Sequence, residues 1–169
     1  MIRCSKSLMN PRARQGEAYV PTFYEHTANI ITHFLLIIPS LFASFNLFQK
    51  ALSSKEKFAA FIYCMGIILL FLTSTTFHIL SFSGKYQHKT FETMLYIFVA
   101  SFPAVSWCYM IDLTGTIEMI LGGLSYAIGV IFFKSDGIIP FAHAIWHLFV
   151  LIGASIHCHA VNTHLLIDD

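Results

Sequence analysis

The chain has 169 residues, of which 56% are hydrophobic and only 11% charged. A soluble domain carries about a quarter charged residues, so composition excludes a conventional water-facing surface. Ten Lys and Arg against nine Asp and Glu give a net charge of +1, without the basic footprint of a nucleic-acid binder. The four cysteines, Cys4, Cys64, Cys108 and Cys158, show neither CxxC spacing nor the density of a disulfide framework.

Residues 1–26 are polar and basic and contain no apolar run of the kind a signal peptide needs. They read as a cytoplasmic N-terminal segment. A bilayer core of roughly 30 Å takes about 20 mostly apolar residues per helix, and five such runs follow: 27–48, 58–82, 91–111, 114–133 and 140–161. Their connectors, 49–57, 83–90, 112–113 and 134–139, are short and polar, and 162–169 form a short tail. The runs are too long and continuous for the alternating strands of a membrane barrel. The expected fold is an all-α, multi-pass transmembrane helix bundle over 27–161.

Placing the N-terminus inside puts Arg3, Lys6, Arg12, Arg14, Lys85, Lys89 and Lys134 on the inner side and Lys50, Lys55 and Lys57 outside. That bias favours an N-terminus in the cytoplasm. Pro39 and Pro103 lie within the first and third spans and mark expected kinks. In the fourth span, Gly123 with Ala127 and Ser125 with Gly129 are small-xxx-small pairs that admit a close neighbour.

Ionisable groups within a span are costly and need a reason. The second span ends with Ser74 and His78, which are i, i+4 and share a face. The fifth begins with His143 and His147, also i, i+4, a spacing by which one helix offers two imidazoles to a metal. The first opens with Glu25, Asn29 and His33, an i, i+4, i+8 stripe of polar support. With five spans the second runs toward the inner face while the first and fifth start there. These groups therefore converge at one depth, whichever side is cytoplasmic. Three imidazoles suit zinc, with a fourth position left for water or a ligand, and zinc is the default transition metal for such a set. The bland alternative is three histidines hydrogen-bonded near the headgroups. His157 and His159 are two apart on a helix and point to nearly opposite faces. They read, with His88 and His164, as surface or interface residues. Asp112, between the third and fourth spans, falls on the face away from the histidines.

The segment from Val130 through Lys134-Ser135-Asp136-Gly137 to His143-Ala144-Ile145-Trp146-His147 and Phe149 closely resembles the progestin and adipoQ receptor family, which includes the haemolysin III-related proteins. The stretch Tyr19-Val20-Pro21-Thr22-Phe23-Tyr24-Glu25-His26 and the Ser74-xxx-His78 pair resemble the same family, in its monocyte-to-macrophage differentiation factor branch. The resemblance implies seven helices, an inner N-terminus and a zinc ion held by His78, His143 and His147, with Ser74 bracing a water on the metal. Five spans against seven imply that the family's third and fourth helices are missing, and with them an Asp near the metal. Glu25 is the nearest substitute. Three functions follow as expectations: a receptor-like or scaffold protein with zinc as a helix clamp, a zinc-dependent lipid amide (ceramide-type) hydrolase, or an inactive truncated form. The expected partners are membrane lipid, a lipid ligand, a second copy or a full-length relative, and no nucleic acid. The resemblance points to Golgi or endo-lysosomal membranes. The catalytic residues are left unassigned.

Overall fold

A computed structural model describes residues 8–84 and 115–164. Among them are five α-helices and no strand: α1 (Phe23–Phe34), α2 (Ile37–Lys50), α3 (Ser54–Phe82), α4 (Thr116–Phe133) and α5 (Ala142–His164). α1 and α2 together make one 28-residue span. With α3, α4 and α5 this gives four stretches long and apolar enough to cross a membrane. The expected span 91–111, with Pro103, and the residues His88 and Asp112 lie outside the described residues.

Local chemistry explains the helix ends. Thr22 and Glu25 form a capping box: the Glu25 amide donates to Thr22 Oγ1 at 3.2 Å and the Thr22 amide to Glu25 Oε2 at 2.8 Å. α1 thus starts at Phe23, earlier than the apolar run at 27 indicated. Ser53 and Glu56 repeat the device at the start of α3. The first span breaks at Leu35–Leu36, between α1 and α2. Pro39 is the cause: its ring collides with the carbonyl four residues back, at Leu35, if the helix runs straight. Pro39 itself sits in the first turn of α2, where a missing N–H costs nothing.

Among the described helices, α1, α2 and α5 run one way across the bundle and α3 and α4 the other. α1 lies against α3 with Phe23 and His26 beside Phe82 (ring centroids 5.8 and 5.3 Å) and His33 beside Phe71 (5.4 Å). The end of α3 meets the start of α5 at His78 and His143, and the opposite ends meet where Tyr63 donates to the Ala154 carbonyl at 3.2 Å. α4 packs antiparallel on α5, with Phe133 beside His143 at one end and Met119 beside His157 at the other. Gly84 and Gly115, which flank the third expected span, therefore lie at opposite ends of the bundle.

Apolar side chains point outward, as a bilayer demands. Ile38, Phe42 and Phe45 on α2, and Ile117, Leu124 and Ile131 on α4, are exposed, whereas Glu25, Asn29, His33, Ser74 and His78 are buried. The apolar core (Leu47, Ala51, Ala59, Ala60, Tyr63, Cys64 and Val161) lies at the end away from the histidines. Its small members let the backbones approach. The α4–α5 seam uses the same device: Ser125 and Gly129 are buried against α5, and Ser125 Oγ donates to the Phe149 carbonyl at 2.9 Å. Gly123 and Ala127 face away from the bundle.

Candidate metal centre

At the end where α1 and α5 begin and α3 finishes, three histidines come together. His78 from α3 and His143 and His147 from α5 each offer a ring nitrogen, and these atoms lie within 4.8 Å of one another. His78 Nε2 and His147 Nε2 are 3.3 Å apart. Two nitrogens about 2.0–2.1 Å from one tetrahedral zinc ion stand roughly 3.3 Å apart, so this pair already has the spacing of two ligands on one ion. His78 and His147 are almost wholly buried, at 3% and 1% exposure, and His143 is half-buried at the mouth.

The surrounding polar atoms fit the same reading. His143 Nε2, Ser74 Oγ, Thr75 Oγ1, Asn29 Oδ1 and both ring nitrogens of His33 are buried without a hydrogen-bond partner in the chain. Buried polar groups are normally paired with protein, water or an ion. A polar guest among the three convergent imidazoles could satisfy such atoms. Ser74 sits one turn before His78 on the same face of α3, as its i, i+4 spacing required.

α1 supplies the flank. Its stripe Glu25, Asn29, His33 faces inward and is buried, but the three members do different things. His33 stacks on His147, with ring centroids 3.8 Å apart and planes 28° apart. Asn29 lines the cavity above the histidines. Glu25 is spent elsewhere: besides its cap, it accepts from Tyr19 Oη at 2.9 Å. Burial, reinforced by that carboxylate, raises the Tyr19 phenol above its ordinary range and keeps it a donor. The carboxylate beside the histidines is instead Asp136, whose Oδ2 lies 3.6 Å from His143 Nδ1. Spacing did not single out Asp136, because it sits on a loop rather than on a helical repeat. Thr32 was missed too, although its Oγ1 is 2.7 Å from His147 Nδ1. Its place on α1, one residue before His33, was the available signal.

Residues 8–22 fold back over this face. The Asn10 amide donates to Tyr19 Oη at 3.1 Å, and Asn10 Nδ2 to the Val20 carbonyl at 2.9 Å. Arg12 runs so close to Gly137 that a Cβ there would fall on the Arg12 backbone. Beneath this strap lies a cavity of about 990 Å³, walled by Arg12, Arg14, Asn29, His78, Lys134 and His143 among others. His78 and His143 are thus reached through a chamber of mixed polar and apolar lining.

Of the two readings for His157, surface or interface, the structure gives the second. It is 5% exposed, with Nε2 3.0 Å from the Met119 carbonyl and its ring edge-on to Tyr126. It belongs to the α4–α5 seam, because Gly122 opens a slot there that the imidazole fills. His159 is exposed, and His164 lies 3.4 Å from Glu118.

Comparison with known proteins agrees with the geometry. The family described as Haemolysin-III related matches residues 22–102. The chain is 33% identical over 217 residues to monocyte to macrophage differentiation factor of Homo sapiens, covering 93% of this chain and 91% of that protein. The mouse protein of the same name matches equally. Hemolysin-3 of Bacillus cereus is 44% identical over 48 residues, 28% of this chain and 22% of that protein. No solved structure matches. The alignment to the human protein spans 217 positions against 169 residues here, so at least 48 of them (217 less 169) have no counterpart in this chain. That is about the length of two membrane spans. By these matches and its apolar helices, the chain belongs to the haemolysin III-related (progestin and adipoQ receptor) family and is an integral, multi-pass membrane protein.

Proposed function

We propose that His78, His143 and His147 bind zinc in a receptor-like or scaffold membrane protein, where the metal ties α3 to α5 beneath the N-terminal strap. One observation carries this reading: two helices far apart in sequence bring three imidazole nitrogens within 4.8 Å in a buried setting. Imidazole is the commonest neutral zinc ligand and the set contains no thiolate. Zinc bound there would add its binding free energy to the folded state. The chain's own residues do the rest. The i, i+4 pair on α5 and the end of α3 preset the donor spacing, Ser74 offers a hydroxyl one turn from His78, and the apolar exterior keeps the assembly in lipid.

A zinc-dependent lipid amide hydrolase, ceramide-type, is the second reading. The chamber of about 990 Å³ that reaches His78 and His143 favours it, as does the Asp136 carboxylate beside His143. Hydrolysis needs a group that takes and returns a proton, and a metal there would polarise the carbonyl. In this reading Asp136 orients His143 and the strap shields the chamber from bulk water. A truncated form lacking activity is the third reading, to which the 48 or more unmatched positions lend weight. A location in Golgi or endo-lysosomal membranes, a lipid ligand in the chamber, and pairing with a second copy or a full-length relative complete the proposal.

Protein purified in mild detergent is assayed for zinc per chain, then for ceramide hydrolysis with and without chelator. About one zinc per chain without turnover supports the clamp, and chelator-sensitive turnover supports the hydrolase. Zinc no higher in the wild type than in a chain carrying His143→Ala and His147→Ala refutes the site.

A further inference from the structure

Thr32 lies 115 residues before His147 in sequence and touches it in the fold, with Oγ1 2.7 Å from Nδ1. We infer that Thr32 is a positioning residue: it holds His147 in the tautomer protonated on Nδ1, so that Nε2 presents its lone pair to the other two histidines. The importance of this for metal binding rests on the zinc reading above, whereas the tautomer itself does not.

A neutral imidazole has one N–H and one lone pair, and a hydroxyl has one hydrogen and two lone pairs. Oγ1 lies 2.9 Å from the Ala28 carbonyl and 3.1 Å from that of Asn29, and we take its hydrogen to be directed there, down its own helix. This backbone bond is a standard choice for a helical Thr. With its hydrogen used there, Oγ1 meets Nδ1 as an acceptor, and the ring must supply the proton. The other tautomer would instead draw the Thr32 hydrogen to Nδ1, away from the Ala28 and Asn29 carbonyls. It would also put a proton on Nε2, the atom 3.3 Å from His78 Nε2. His33, stacked on the ring face at 3.8 Å, limits rotation of the imidazole away from Thr32. α1 therefore contributes no ligand but selects which nitrogen of His147 is a ligand. A partner on the non-ligating nitrogen of a metal-binding His fixes tautomer and orientation, and its loss typically costs 10- to 100-fold in affinity.

Two measurements test this. In metal-free protein labelled with [15N]histidine, the nitrogen shifts distinguish N–H from lone-pair nitrogens, and the His147 signals are assigned by their loss in His147→Ala. Wild type and Thr32→Ser are expected to carry the proton on Nδ1, and Thr32→Val to lose that preference. A proton on Nε2 in the wild type overturns the inference, and this arm needs no variant at Thr32 to fold. Zinc affinity, read by competition with a chelator, should fall roughly 10- to 100-fold in Thr32→Val and return toward wild type in Thr32→Ser. Equal affinity in Thr32→Val and wild type also overturns it. If the wild type binds no zinc, the metal reading fails, and the nitrogen shifts still decide the tautomer.

Discussion

Replacing Gly137 with Ala should release the N-terminal strap from the face that carries the histidines. Gly137 has φ of 75°, and a Cβ there would stand 2.6 Å from the Arg12 backbone nitrogen and fall on its Cα. Two costs arise and act on different equilibria. The left-handed backbone costs an L residue about 1–2 kcal/mol, but that strain sits in the α4–α5 loop whether the strap is docked or not. The collision acts only on the docked strap, and because the partner is backbone no rotamer change relieves it. Overpacking of this kind costs about 1–3 kcal/mol, which converts to a rise of roughly 5- to 150-fold in the open strap. Arg12 and Arg14 make the strap a trypsin substrate, and cleavage of a transiently open segment follows the open population when reclosing is fast. The assay is the rate of trypsin cleavage at these two arginines in lipid nanodiscs. Gly84→Ala is the control, since Gly84 has φ of 72° but open space around it: it carries the strain without the collision and should leave strap cleavage unchanged. Equal cleavage in Gly137→Ala and wild type would refute the docking argument.

Three other outcomes are expected. Gly129→Val should cost about 1–3 kcal/mol in unfolding experiments, because its first carbon alone meets Trp146 at 2.5 Å and Phe149 at 2.7 Å. Gly123→Ala, facing open space, should stay within about 0.5 kcal/mol of wild type; equal losses in the two would contradict the packing of α4. His157→Leu should lower stability by about 0.5–1.5 kcal/mol through the lost hydrogen bond to the Met119 carbonyl while zinc per chain is unchanged. Loss of zinc would show that His157 serves the site. In a cysteine-free background, Ser135→Cys should react with an impermeant thiol reagent from the N-terminal side of the membrane and Ser54→Cys from the other. Labelling of both from one side would contradict the placement of these two loops at opposite ends of the bundle.

Much of the architecture was legible in the sequence because a bilayer is a simple solvent. Span length follows from hydrocarbon thickness, so composition alone marked the first, second, fourth and fifth spans. Helix parity then placed His78, His143 and His147 at one depth without knowledge of any contact. The capping boxes at Thr22 and Ser53 were also written in the chain, as a hydroxyl three residues before a glutamate, and they moved two helix starts outward from the apolar runs.

Depth, however, is not azimuth. A helical repeat says which residues share a face, but not which neighbour that face meets. Glu25 was at the right depth to serve the histidines, yet the capping geometry and Tyr19 claim its carboxylate. Asp136 reaches His143 because the loop turns at Gly137 (φ 75°) and Phe141 (φ 58°), backbone conformations that periodicity cannot register. His157 read as a surface or interface residue, and it is buried in the helix seam because Gly122 makes room for it. The sequence by itself determined that apolar helices carry three histidines to one end of a bundle. Only the tertiary structure decided that their nitrogens lie within 4.8 Å of one another, and that Thr32 and Asp136 face the nitrogens behind two of them. The reason is that such contacts depend on the rotation and approach of whole helices, set by packing of small residues along the seams rather than by any local preference.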